Sequence, residues 1–102
     1  MQQILKNNLK ELKKICKSLK IKNLYAFGSV MSKNFRKDSD IDFLISFDDD
    51  ISVKEYTDNY FLLYQKLKEL FQREIDIITE RTLSNPYLIE DINETKELIY
   101  DA

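Results

Sequence analysis

The chain has 102 residues, 43% of them hydrophobic and 33% charged, and a net charge of −2. That mixture suits one domain over residues 1–102 and reads as globular rather than disordered. The absence of histidine excludes Ser-His-Asp triads, Cys-His pairs and the usual zinc sites.

Residues 3–19 read as one amphipathic helix, with Leu5, Leu9, Leu12, Cys16 and Leu19 stepping by four, three, four and three and Ile15 alongside. Lys6, Lys10, Lys13, Lys17 and Lys20 follow one residue later, a stripe about 100° around the helix. It reads as a solvated flank or as a docking face for an acidic partner or RNA. Residues 1–22 sum to +6 and residues 23–102 to −8, so the chain as a whole is not a polyanion binder. Cys16 is the single cysteine and has no internal disulfide partner, which points to a reducing, cytoplasmic setting. No apolar run approaches the roughly 20 residues of a membrane helix, and the start lacks the layout of a signal peptide. No membrane partner is expected.

"NLYAFGS", residues 23–29, predicts a short strand halted by Gly28, the chain's one glycine. The link of about twelve residues that follows has room for a helical turn. "DIDFLISF", residues 40–47, alternates: Ile41, Phe43, Ile45 and Phe47 face one way, Asp40, Asp42 and Leu44 the other. Residues 53–72 predict a helix with Tyr56, Tyr60, Leu63, Tyr64, Leu67, Leu70 and Phe71 inward, an ordinary core stripe. "EIDIIT", residues 74–79, predicts a third strand that sets Asp76 on the face opposite Ile75 and Ile77. Asn85 reads as an N-cap with Pro86 at the first helical position, and apolar positions 88, 89, 92, 98 and 99 extend this last helix to the C-terminus. The expected architecture is α+β (α/β), a small mixed sheet of about three to four strands covered by helices.

Three features of this plan carry chemistry. Glycine adopts positive φ and lets a ligand approach the backbone, so Gly28-Ser29 after a strand could cradle a phosphate. Asp40 and Asp42 emerge on one face of a strand, roughly 6.5–7 Å apart at their origins. They repel unless solvated or bridged by a cation, and Mg²⁺ favours such hard carboxylate oxygens. Asp76 lies within "IDII", a poor place for an unpartnered acid. On a neighbouring strand it would complete a trio able to hold two metal ions and polarise a hydroxyl.

Gly28-Ser29, ten residues, Asp40-Ile41-Asp42 and the later Asp76 together resemble the minimal nucleotidyltransferase (MNT) family of the DNA polymerase β-like superfamily. The resemblance covers nearly the whole chain. It implies the polymerase β-like nucleotidyltransferase fold and Mg²⁺-dependent transfer of AMP from ATP to a hydroxyl, with two ions expected. Carried over by position, Asp40, Asp42 and Asp76 would be catalytic metal ligands, with Asp76 helping to deprotonate the acceptor. Gly28 and Ser29 would grip the triphosphate, and Lys33 and Arg36 (with Lys37 beside them) could reach its oxygens. One departure stands out: many members place a small residue and an arginine directly after Gly-Ser. Here Val30, Met31, Ser32 and Lys33 intervene before Arg36, and lysine replaces the charge but not the two-pronged contact.

The resemblance extends to the antitoxin of bacterial two-gene modules, whose members adenylylate a tyrosine of a HEPN-type RNase toxin. It implies a HEPN-type protein partner, possible assembly with it, and no DNA. The alternative is a non-catalytic antitoxin that occludes its partner, with the lysine stripe or exposed aromatics as the interface. Transfer to a small molecule fits less well without a second substrate-gripping domain. Exchanging Asp40 and Asp42 for asparagine separates catalysis from occlusion.

Overall fold

The computed structural model describes residues 2–102. The predicted first helix is broken: α1 spans Gln3–Lys6 and α2 spans Leu9–Ser18. At the break the Asn8 side-chain amide donates to the Ile4 carbonyl at 2.8 Å, a local bond that competes with the helix ladder. The apolar seam survives, with Leu5, Leu12, Cys16 and Leu19 buried. Burial pushes the Cys16 thiol up to about 12, so it is a core residue rather than a nucleophile.

β1 (Ile21–Phe27) leads into a 3₁₀ turn, Gly28–Met31, the helical turn expected in the link. β2 spans Ile41–Phe47 and α3 Val53–Phe71. A capping box starts α3: Ser52 accepts from the Glu55 N–H while the Glu55 carboxylate accepts from the Ser52 N–H. β3 (Ile75–Thr79), a 3₁₀ turn at Glu80–Thr82 and α4 (Pro86–Thr95) follow, and Asn85 caps α4 by accepting from the Tyr87 and Leu88 N–H groups.

The sequence reading errs after Thr95. The chain leaves the helix at Lys96 (φ −62, ψ 141) and forms β4, Glu97–Asp101. Apolar residues at 98 and 99 suit a helix or a strand, and antiparallel pairing with β1 decides for the strand. Ile99 turns into the core and Leu98 outward, as a half-buried edge strand requires.

The sheet order is β3-β2-β1-β4, with β1 antiparallel to β2 and β4 and β2 parallel to β3. The face bearing Ile41, Phe43, Ile45, Ile75 and Ile77 packs with α2 and α3 residues in the main core. On the opposite face Phe27, Leu44 and Ile92 of α4 form a smaller cluster. That second face also carries the acids, so α4 shields it in part and leaves the ends of β2 and β3 open.

Candidate active site

The parallel register of β2 and β3 sets Asp42 opposite Asp76 on adjacent strands, whose axes lie about 4.8 Å apart. Register therefore brings together two of the three acids expected to converge, Asp42 and Asp76; the expected trio with Asp40 does not gather into one cluster among the described residues. Across the other edge of β2, Asp42 pairs with Phe27, the last residue of β1, so the Gly28 turn begins beside it. Asp40 sits two residues earlier, just outside the strand and exposed.

Asp42 is half-buried and its carboxyl is pushed up to about 6, first by desolvation and then by the negative charges of Asp76, Asp40 and Asp91. Among the described residues no three His, Cys, Asp or Glu side chains stand close enough to enclose an ion by themselves. The adjacent carboxylates of Asp42 and Asp76 are hard oxygen donors of the kind Mg²⁺ takes, one or two at a time, with water and phosphate oxygens completing its shell. They do not form a closed structural cage.

Gly28 has φ +75, and a Cβ built on it would fall 2.5 Å from Asp42 Oδ2. Lys20 (φ 59) and Gln72 (φ 54) also take the left-handed conformation, at helix ends where glycine is the usual choice. This chain tolerates that conformation in ordinary side chains. What Gly28 alone provides is the missing Cβ beside Asp42. The turn is tied down by the Ser32 N–H and hydroxyl, both donating to the Ser29 carbonyl at 2.9 and 3.0 Å. The Ser29 hydroxyl lies 3.5 Å from the Asp40 carbonyl.

Lys33 and Arg36 are exposed in the following loop. Among the described residues neither forms an ion pair with the acids. Their chemistry toward a phosphate rests on charge and reach alone. A groove of about 910 Å³ runs along α3 past Phe61, Lys68 and Arg73 and contains none of the three aspartates. The acids lie on an open sheet face.

Three further residues join the site from places the sequence did not advertise. Thr95, at the end of α4, accepts the Gly28 N–H on its hydroxyl at 3.0 Å and donates to the Asp91 carbonyl at 3.0 Å. Asp91, one turn earlier, is the acid whose charge reaches Asp42 from α4. Arg73 grips the loop that carries Asp40. The i, i+4 spacing of Asp91 and Thr95 is visible in the sequence, but nothing local says which strand end that helix face meets. Thr95→Val keeps the shape and deletes the acceptor, leaving the Gly28 N–H unpaired. It is expected to cost about 1 kcal/mol of stability, measured by thermal unfolding; an unchanged unfolding temperature would deny the tie.

Residues 9–99 match the nucleotidyltransferase domain family. The chain belongs to that family. A Methanocaldococcus jannaschii chain named "Putative protein adenylyltransferase" is 33% identical over 100 residues, 98% of this chain and 93% of its own length. A solved structure described as a "putative minimal nucleotidyltransferase" superposes with a TM-score of 0.69 and 25% identity, covering 91% of this chain and 90% of that one. A toxin–antitoxin crystal structure with AMP-PNP gives a TM-score of 0.71 at 21% identity, with 93% and 74% coverage. A tri-AMPylated Shewanella oneidensis HEPN toxin in complex with its MNT antitoxin gives 0.65 at 19%, with 95% and 72% coverage. The last two likenesses speak to fold. The protein is a nucleotidyltransferase with the minimal nucleotidyltransferase architecture, and among its described residues no helix is long and apolar enough to cross a membrane.

Proposed function

We propose that this nucleotidyltransferase moves AMP from ATP to a hydroxyl, a tyrosine by preference, of a HEPN-type partner protein and so silences it, with residues 1–102 acting as one catalytic domain in the cytoplasm. The observation that carries the catalytic part is Asp42 held opposite Asp76 by strand register and against the side-chain-free face of Gly28. The relatives' adenylyltransferase name and the AMP-bearing toxin complex support the acceptor class.

Asp40, Asp42 and Asp76 would hold Mg²⁺, in one or two ions. Bound there, the metal supplies positive charge to the phosphoryl oxygens and to the attacking hydroxyl. The chain's own groups do the rest. Gly28 lets the Asp42 carboxylate stand against the turn, and there the Ser29 hydroxyl and backbone N–H groups donate to the triphosphate. Lys33 and Arg36, long and exposed, neutralise its outer oxygens. Asp76, exposed on the edge strand β3, is the carboxylate an incoming protein can reach, and it takes the hydroxyl proton. The acceptor oxygen then bonds to the α-phosphorus as the bond to pyrophosphate breaks.

Incubating the protein with Mg²⁺, ATP labelled at its α-phosphorus and lysate of its source cells tests this reading. We expect one labelled protein band, absent with the Asp40→Asn/Asp42→Asn variant and carrying AMP on tyrosine by mass spectrometry. A folded double variant that still neutralises the partner would instead support occlusion without catalysis.

A further inference from the structure

Asp40 is the one member of the trio that the sheet does not hold. β2 begins at Ile41, so Asp40 has no strand partner, and its side chain is exposed. Its position depends on the peptide groups around it, and each of these is tethered. The Ser39 carbonyl accepts from Arg73 Nη1 at 2.9 Å. The Ile41 N–H donates to the Glu74 carbonyl at 3.2 Å. The Asp40 carbonyl faces the Ser29 hydroxyl.

Arg73 does more than hold one carbonyl. The same Nη1 donates to the Arg36 carbonyl at 3.0 Å, which closes the loop from 36 to 39 around a single nitrogen. The guanidinium carbon lies over the Phe35 ring, 4.6 Å from its centre, a cation–π contact that helps hold the fork. Among the described residues Arg73 Nε is buried without a hydrogen-bond partner, so the grip of this side chain on the loop runs through Nη1. Residues 73 and 74 immediately precede β3. The start of the strand bearing Asp76 is thereby joined to the peptide bearing Asp40.

We propose that Arg73 is a positioning residue of this site: from the α3–β3 junction it sets the Ser39–Ile41 backbone so that Asp40 is held toward the Asp42–Asp76 pair as one ligand of a divalent cation whose shell water and phosphate oxygens complete. The inference rests on the reading of these acids as cation ligands. It adds a residue that touches neither nucleotide nor metal yet governs affinity for the metal. Lysine is no substitute, because a point charge on a flexible stem lacks the planar, preorganised fork whose Nη1 bridges the Arg36 and Ser39 carbonyls.

The test is binding of Mn²⁺ alone, followed by electron paramagnetic resonance on the full chain, beside hydrogen exchange at the amides of residues 39–41. Arg73→Lys is expected to weaken Mn²⁺ binding about tenfold, in line with losses seen when the groups that orient metal ligands are removed, and to speed exchange at those amides. Phe35→Leu frees the same guanidinium from its other side and is expected to act in the same direction, so it carries the test if Arg73→Lys fails to fold. Equal Mn²⁺ affinity and equal exchange in a folded variant would overturn this inference alone. A wild-type protein that binds no Mn²⁺ would overturn the cation reading and this inference with it.

Discussion

Replacing Asp42 by asparagine is expected to abolish transfer and at the same time stabilise the metal-free protein at neutral pH. The activity loss follows from removing the carboxylate that stands against the Gly28 turn. Metal-held charge is worth several kcal/mol in such reactions, so turnover should fall at least about 100-fold. The gain in stability follows from the direction of the pKa shift. Asp42 is pushed up to about 6 by burial and by Asp76, Asp40 and Asp91, against 3.8 for an ordinary aspartate. The folded state therefore holds its proton more tightly than the unfolded state. At low pH both states are protonated and nothing is lost; as pH rises through about 4 to 6 the unfolded chain ionises first and is favoured.

In chelator, the wild type should then lose stability over that window while Asp42→Asn does not. The difference at about pH 7.5 is expected near 1 kcal/mol after allowing for partial solvent screening. Denaturant unfolding of both proteins at about pH 4 and about pH 7.5 measures it. A variant less stable than wild type at the higher pH would mean that the acids are solvated and do not strain one another. Stability given up at a site in exchange for reactivity is a familiar trade.

Gly28→Ala should be the most damaging conservative change outside the acids. An alanine at φ +75 carries a backbone cost of about 1–2 kcal/mol. Its methyl group would also stand 2.5 Å from Asp42 Oδ2, so the carboxylate must swing away. The expected result is a destabilisation of about that size with turnover reduced by at least about tenfold, since a misplaced reacting group alone can cost that much. Thermal unfolding and steady-state transfer on the same preparation separate the two effects. Wild-type turnover in a merely destabilised variant would reduce Gly28 to a turn residue.

Much of this site was legible in the sequence because strands impose a period of two. Asp40-Ile41-Asp42 and Ile75-Asp76-Ile77 could be assigned to one face from alternation alone, and the parallel pairing of β2 with β3 did the rest. The glycine was legible as a turn that halts β1, while its tight approach to Asp42 was not, since that depends on β1 and β2 pairing. Thr95 and Arg73 were invisible for a related reason: they act on residues 67 and 34 positions away, through contacts no local pattern encodes. The final strand was misread where two adjacent apolar residues fit either period and the partner strand lies at the other end of the chain. Asn7-Asn8, by contrast, was a local signal: polar side chains that bond the backbone interrupt a helix even when its apolar seam continues.

In the proposed reaction AMP, the α-phosphoryl group of ATP with its nucleoside, parts from pyrophosphate and passes to a protein hydroxyl. The most direct measurement supplies the protein and source-cell lysate with Mg²⁺ and ATP labelled at either the α- or the γ-phosphorus, each beside Asp40→Asn/Asp42→Asn. Label entering protein from the α position alone, with pyrophosphate released and nothing transferred by the double variant, is the result this account predicts. Label entering from the γ position, or equal incorporation by the double variant, would contradict it.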